Sequence, residues 1–498
     1  MSTHAEDPHR PLFHLSPPRG RLNDPNGLLV RDGVFHAFFQ WAPDFPARRA
    51  IGWGHATSRD LLRWEYLPAA IEPTDPYDRN GCYSGSAVPR FDSQNDGAVF
   101  LYTGNVKHPD GTREAPQCAF MTDDLVSFRK HPGNPVIADT DRPAGYTADF
   151  RDPMVYAFTG GRLRMCIGAR RDDAAGAVLL WSATEPTGPW RFDGELHIEG
   201  AGPDSTYHLG HMWECPNLFP LRDAATQRLR HVLMLCPQGV DDPAVNPAGR
   251  ADMCGYIVGD LDIDPETGAG VLRNAAPFRE LDLGFEFYAP QIFADRGTTD
   301  DALLLAWAGT PAEDDQPTLA AGWVHTMTVA RRLTLRGGIL YQEPAFEPAA
   351  LGPVGALQHT ELAPAETAEF TPLAGEASFA LSTVVELAEN ATLTIALTSG
   401  DETATVEVGR ETLAVDRTAT GYPLHGRRES PAPGSARRRL VLLHDRSITE
   451  VFLDGRWTAT LRTFLDPADL RVLLRADGGP VTLTGTTTAT FAASIAPV

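Results

Sequence analysis

The sequence predicts an all-β chain, a five-bladed β-propeller followed by a β-sandwich. Three observations lead there. Up to about residue 340, short apolar runs alternate with Gly, Pro and Asp, and long helical periodicity is scarce. The runs at 34–40, 98–102, 163–167, 177–181, 231–235 and 302–307 have the length and composition of strands. Second, Ser58-Arg-Asp60-Leu61 ending in Trp64 recurs as Thr122-Asp-Asp124-Leu125 ending in Phe128, with a degenerate copy from Ser182 to Trp190. A period of about 60 over roughly 320 residues gives about five blades. Third, the runs at 392–397, 404–408, 440–443, 449–453 and 481–484 are strand-like with period-2 alternation, as in a sandwich. The expected divisions are a propeller over 1–340, a linker rich in Pro, Ala and Glu over 341–365, and a sandwich over 366–498.

In chain order, the first distinctive stretch is Leu22-Asn23-Asp24-Pro25-Asn26-Gly27. Pro fixes φ, Gly accepts positive φ, and Asn and Asp bond nearby backbone, so the stretch reads as a tight turn. Apolar runs flank it and place Asp24 where strand meets turn. Two further acids also sit beside prolines, in Arg151-Asp152-Pro153 and in Trp213-Glu214-Cys215-Pro216. On a propeller, inner strands of different blades converge on one central funnel. The three separated carboxylates are therefore expected to meet there.

Composition narrows the function classes. The chain of 498 residues is 42% hydrophobic and 22% charged, with a net charge of −22, as for a globular protein whose surface repels nucleic acid and anionic membrane. The first ten residues lack the apolar core of a signal peptide, and no later run approaches the ~18 residues of a membrane span. The expectation is a cytoplasmic protein, monomeric or homodimeric, with no nucleic-acid or membrane partner. Six scattered cysteines without a C-x-x-C pair, and histidines without an H-E-x-x-H pattern, suggest neither disulfides nor a metal. The basic stretch from Arg427 to Arg439 is expected to be solvated or paired within the chain.

Five motifs in order carry a resemblance: Asn23-Asp24-Pro25-Asn26-Gly27, Tyr83-Ser84-Gly85-Ser86, Arg151-Asp152-Pro153, Glu214-Cys215-Pro216 and Tyr288-Ala289-Pro290-Gln291. Together they resemble glycoside hydrolase family 32, the invertases, fructan exo-hydrolases and sucrose-6-phosphate hydrolases. Trp53-Gly54-His55-Ala56-Thr57-Ser58, Leu101-Tyr102-Thr103-Gly104 and Trp307 fit the same pattern. The resemblance spans about residues 12 to 345, and the sandwich matches in character and in the segment from Glu450 to Gly455.

Cleaving a ketosidic bond needs a proton for the leaving oxygen and support for an oxocarbenium-like carbon, and two carboxyl groups supply both. The resemblance implies Asp24 as nucleophile, Glu214 as acid/base and Asp152 as transition-state stabiliser. It implies hydrogen-bonding roles for Asn23, Gln40, Ser84, Arg151 and Tyr288, and an apolar wall of Tyr83, Trp53 and Trp307. Three acids in one pocket cannot all ionise cheaply, so one is expected to hold a proton near neutral pH, a state Glu214 needs.

The implied activity is retaining β-fructofuranosidase action on sucrose and short fructo-oligosaccharides, with no cofactor. Sucrose-6-phosphate hydrolysis, fructan exo-hydrolysis, fructosyl transfer and a silent fructan-binding module are the alternatives. Where the family often carries tryptophan, eight residues after Gln40, this chain has Arg48, followed by Arg49. These two are the candidates for a local phosphate site.

Overall fold

The computed structural model describes residues 7–88, 97–200, 209–247, 249–294, 296–352, 354–356, 360–370 and 377–491; the first six residues of the N-terminal stretch thus lie outside the described residues. The described secondary structure is strand, apart from short 3-10 turns. Among the described residues, no helix is long and apolar enough to cross a membrane.

Among the described residues up to 344, five sheets of four to six mostly antiparallel strands follow one another, each one propeller blade, with a small two-stranded sheet beside the second. Their inner strands are Gly20–Arg31, Cys82–Ala87, Tyr146–Thr159, Met212–Arg222 and Tyr288–Ile292. The ring closes where Gly20 and Arg21 of the first blade pair in parallel with Trp323 and Val324 beside the fifth.

The repeat seen in the sequence is a turn stitched by side chains. Ser58 Oγ accepts from the Leu61 amide at 2.8 Å, and Asp60 Oδ1 from the Leu62 and Arg63 amides at 2.9 and 2.8 Å. Thr122 and Asp124 accept in the same way from Leu125, Val126 and Ser127. Leu61 and Leu125 both take positive φ, 63° and 57°. Each turn leads into the outer strand of its blade, so an Asp-Leu pair at this spacing is a structural repeat.

The acid-bearing motifs fold differently from the turns expected of them. Leu22–Gly27 lies inside one continuous strand, Gly20–Arg31, and its pairing with the second strand slips between Leu22 and Pro25. Every inner strand has such a slip: between Cys82 and Gly85, Arg151 and Met154, Glu214 and Asn217, and Tyr288 and Gln291. These are β-bulges, where a residue leaves the ladder and the strand bends. Proline lacks the N–H that a ladder requires, so Pro25, Pro153, Pro216 and Pro290 fit a bulge where a regular strand excludes them. In the second blade Gly85 takes this place, and a Cβ there would stand 1.9 Å from the Leu101 carbonyl oxygen. The tight turn expected at Leu22–Gly27 is therefore replaced by a bulged strand.

Bulging frees backbone carbonyls, and buried amides satisfy them across blades. Asn217 donates to Cys215 O and Pro290 O at 3.0 and 2.9 Å, and Gln291 donates to Gly85 O at 2.9 Å.

Two further sheets, of seven and six strands, form the sandwich. The segment expected as a linker is built into both domains: Ile339–Pro344 completes the fifth blade, and Thr360–Leu362 pairs with Val481–Thr490. The basic stretch is paired. Arg428 reaches Glu280 of the propeller at 2.8 Å, Arg438 holds Asp454 at 2.6 Å, and Arg427 holds Glu407 at 2.7 Å.

The domains meet around Arg331, which is fully buried. It binds Asp282 at 3.0 Å and Glu450 of the sandwich at 2.6 Å, between the rings of Phe287 and Phe452. His14 bridges Glu450 and Asp445 at 3.1 and 2.8 Å. Arg331→Met leaves two buried carboxylates without their cation and should cost about 3–5 kcal/mol in chemical denaturation. A loss within ~0.5 kcal/mol, as for an ordinary surface change, would show that this network does not hold the domains.

Candidate active site

The five bulges turn side chains into the funnel. Asp24 comes from the first inner strand, Tyr83 and Ser84 from the second, Arg151 and Asp152 from the third, Glu214 from the fourth and Tyr288 from the fifth. Asp152 and Cys215 take positive φ, 69° and 49°, a conformation uncommon outside glycine that points each bulge inward.

Around Asp24 the hydrogen bonds run in a ring. Asn23 Nδ2 donates to Asp24 Oδ1 at 3.0 Å and to Gln40 Oε1 at 2.7 Å. Gln40 Nε2 donates to Ser84 Oγ, and Ser84 Oγ donates to Asp24 Oδ2, each at 2.5 Å. Both carboxylate oxygens are thus fixed by donors from two blades.

Glu214 is held as firmly by others. Arg151 donates to Oε1 through Nε at 3.1 Å and Nη2 at 2.7 Å, while Gln238 and Tyr288 donate to Oε2 at 2.7 and 2.5 Å. Asp149 anchors the far side of Arg151 at 2.9 Å. Asp152 lies between the two acids. Its Oδ2 accepts from the Cys215 amide at 2.9 Å, and the Cys215 thiol touches Asp152 Oδ2 and Asp24 Oδ2 at 3.6 and 3.9 Å. The three carboxylates therefore share one site.

Burial raises the pKa of Asp24, against the Ser84 and Asn23 hydrogen bonds, and the charge of Glu214 adds to the rise. Burial also pushes Asp152 up, to about 7, with Arg151 opposing and the charges of Glu214 and Asp24 adding. Both aspartates are thus harder to ionise than a free carboxyl. Each feels the other's charge or that of Glu214, so the two aspartates are not independent.

The aromatic residues fall in different places. Trp307 is buried beneath the Arg21 guanidinium, 5.1 Å away, and edge-on to Tyr288. Tyr83 is half-buried. Trp53 is 0% exposed, packed against Phe100, Tyr102 and Phe120, and donates to the Tyr83 carbonyl at 3.1 Å. It supports Tyr83 from behind and has no face on the funnel. Arg49 reaches across the pocket edge to Asp314 at 3.2 Å, and Arg48 is exposed beside it.

The sequence reading missed Arg21, Gln238, Asp149 and Asp314. Arg21 and Asp149 each stand two residues before a motif member, and Gln238 closes the strand paired with Glu214. Asp314 carries no local signal, since it comes from the connection after Ala302–Ala308.

Residues 14–344 match the family described as glycosyl hydrolases family 32 N-terminal domain, and residues 354–492 match its C-terminal domain. Among curated relatives, a sucrose-6-phosphate hydrolase of Klebsiella pneumoniae is 43% identical, over 69% of this chain and 69% of its own length. One from Bacillus subtilis is 41% identical, over 69% of this chain and 67% of its own. Among solved structures, a sucrose-6-phosphate hydrolase from Lactobacillus gasseri superposes with a TM-score of 0.80 at 26% identity, covering 98% of this chain and 94% of that one. A β-fructofuranosidase from Bombyx mori gives 0.79 at 27%, covering 98% and 95%.

The raised Asp152 has a consequence for stability. Its ordinary value is 3.8 and its folded value about 7, so the native state binds the extra proton between these pH values. Stability therefore falls as pH rises from about 4 to 7, and the penalty is complete above 7. Asp152→Asn removes the charge, so its Tm relative to wild type should rise between pH 5 and pH 8. A difference that is the same at both pH values would place the proton elsewhere.

Proposed function

Because the chain belongs to glycosyl hydrolase family 32, we propose that this glycoside hydrolase is a retaining β-fructofuranosidase whose chemistry rests on Asp24, Glu214 and Asp152. The observation that carries the reading is the division of labour among donors. Asp24 is gripped on both oxygens by uncharged groups, which orient it for attack. Glu214 sits in a fork of Arg151, Tyr288 and Gln238 that aligns it toward a leaving oxygen.

In the first half-reaction an Asp24 oxygen attacks the anomeric carbon C2 of the fructosyl unit. The bond from C2 to the bridging oxygen breaks, and Glu214 delivers its proton to that oxygen. In the second half, Glu214 takes a proton from water as the water oxygen bonds to C2. As it does so the bond from C2 to Asp24 breaks, Asp24 regains its carboxylate, and fructose leaves with its configuration retained. Asp152, beside both acids, binds ring hydroxyls and supports the positive charge that develops at C2. Asn23, Gln40, Ser84, Arg151 and Tyr288 place the sugar, Tyr83 supplies apolar contact, and the buried Trp307 backs Tyr288. Each step uses only side chains and water.

The preferred substrates are sucrose and short fructo-oligosaccharides, met in the cytoplasm. A second reading, sucrose-6-phosphate hydrolysis, is favoured by the names of the relatives and by Arg49 at the pocket edge. Its guanidinium is half-exposed, and Arg binds phosphate bidentately.

Asp24→Asn should nearly abolish turnover with the fold intact by circular dichroism. Glu214→Gln should keep relatively more activity on a fructoside with a good leaving group than on sucrose in single-turnover assays. Equal losses on the two substrates would remove Glu214 as the acid. For substrate choice, kcat/KM for sucrose is expected to exceed that for sucrose 6-phosphate. A preference for the phosphate of roughly tenfold, about 1.4 kcal/mol, lost in Arg48→Ala/Arg49→Ala, would establish the second reading.

A further inference from the structure

We propose that Arg21 is a positioning residue that sets the polarity of the hydrogen-bond ring around Asp24, held in place by a relay that begins in the sandwich. The proposal rests on Asp24 being the nucleophile. Arg21 is buried, donates from Nη1 to Asn23 Oδ1 at 2.5 Å, and donates from Nε to Asp314 Oδ1 at 2.6 Å. A guanidinium can only donate. The Asn23 amide must therefore turn its oxygen to Arg21 and its NH2 to Gln40 and Asp24. Gln40 must then accept through Oε1, which leaves Nε2 to donate to Ser84. With that lone pair occupied, the Ser84 hydroxyl donates to Asp24. Asn23, Gln40 and Ser84 each carry donor and acceptor capacity, and the ring is polarised from both ends. Arg21 can only donate to it and the ionised Asp24 can only accept, so Arg21 reinforces the one direction that presents donors to both nucleophile oxygens.

The same logic extends outward. Asp314 also accepts from His325 Nε2 at 3.1 Å, and Arg49 adds a third contact at 3.2 Å. Gln316 Nε2 donates to His325 Nδ1 at 3.1 Å, which fixes the neutral tautomer with its proton on Nε2. Gln316 Oε1 accepts from the His325 amide at 3.0 Å and from Arg462 of the sandwich at 3.3 Å. Burial holds His325 down near pKa 4, so it stays neutral over the working range. An unbroken line thus runs from Arg462, again a donor-only group, through Gln316, His325, Asp314, Arg21 and Asn23 to Asp24. The groups that act electrically on Asp24 are Ser84, Asn23, Glu214 and Arg21, with Asp152 and the Cys215 thiol alongside. Loss of Arg21 takes away a nearby positive charge and unlocks the two donors, so ionising Asp24 becomes harder.

The test compares Arg21→Lys, Arg21→Gln and Asp24→Asn with sucrose as substrate, with folding checked by circular dichroism and Tm. Lysine remains donor-only, whereas a glutamine amide can flip. The expected result is a kcat about ten- to a hundredfold lower in Arg21→Gln, equivalent to losing one charge-assisted hydrogen bond, with a smaller change in KM. The acid limb of its kcat/KM profile should move to higher pH, and Arg21→Lys should recover part of both effects. Asp314→Asn, which keeps the shape but loosens Arg21, should shift the limb in the same direction and serves if Arg21→Gln does not fold. Wild-type kcat and acid limb in a folded Arg21→Gln, or in Asp314→Asn if that is the one that folds, overturns the proposal. Equal loss in Arg21→Lys and Arg21→Gln with an unmoved limb also overturns it, because the role is then structural. If Asp24→Asn itself keeps wild-type turnover, the nucleophile assignment fails first, and the two failures are told apart.

Discussion

The constraint on which the rest depends is the burial of three carboxylates in one funnel. An acid removed from water must be paired, hydrogen-bonded or protonated. Each of the three uses a different remedy. Glu214 has a guanidinium, an amide and a phenol on its two oxygens, and Asp24 has an amide and a hydroxyl. Asp152 has a backbone amide and is the one pushed up to about 7. Differences of this kind let chemically identical groups act as nucleophile, acid and stabiliser in one reaction.

The scaffold supplies this by repeating one device. A regular inner strand would direct its side chains alternately to the two faces of its blade, toward the neighbouring blades. A bulge at the same depth in all five blades bends the inner strand beside the site: Asp24, Ser84 and Asp152 leave the pairing, while Arg151, Glu214 and Tyr288 are the last paired residues before it. The freed carbonyls would be costly if left bare, and Asn217 and Gln291 answer that cost by linking the fourth blade to the fifth and the fifth to the second. Stability and function are thus joined at the same positions. The sandwich takes part through Arg331, which binds both domains, and through Arg462, which touches the relay leading to Asp24.

Much of this was legible in the sequence, for physical reasons. Strand period, turn punctuation and the Asp-Leu repeat are local, and local signals survive without coordinates. The three acids were legible because each stands beside a proline, and those prolines mark the bulges. Their meaning as bulges was hidden, since Asn, Asp, Pro and Gly serve a hairpin turn equally well. Trp53 was read as pocket wall because an aromatic in a motif suits either a wall or a core. Packing against Phe100, Tyr102 and Phe120 decides for the core, and that packing joins the first blade to the second, a tertiary contact no local pattern reports. Asp314 was invisible because its partners, Arg21 and His325, meet it only where the ring closes.

The central claim is that Asp24 becomes covalently bonded to the sugar. Its most direct test is rapid acid quench of the enzyme during turnover of an activated fructoside, followed by proteolysis and peptide mass spectrometry. The account predicts that the peptide containing Asp24, and no other, gains the mass of one fructosyl unit. An adduct on the peptide containing Asp152 or Glu214, or none under conditions where the first step outruns the second, would contradict it.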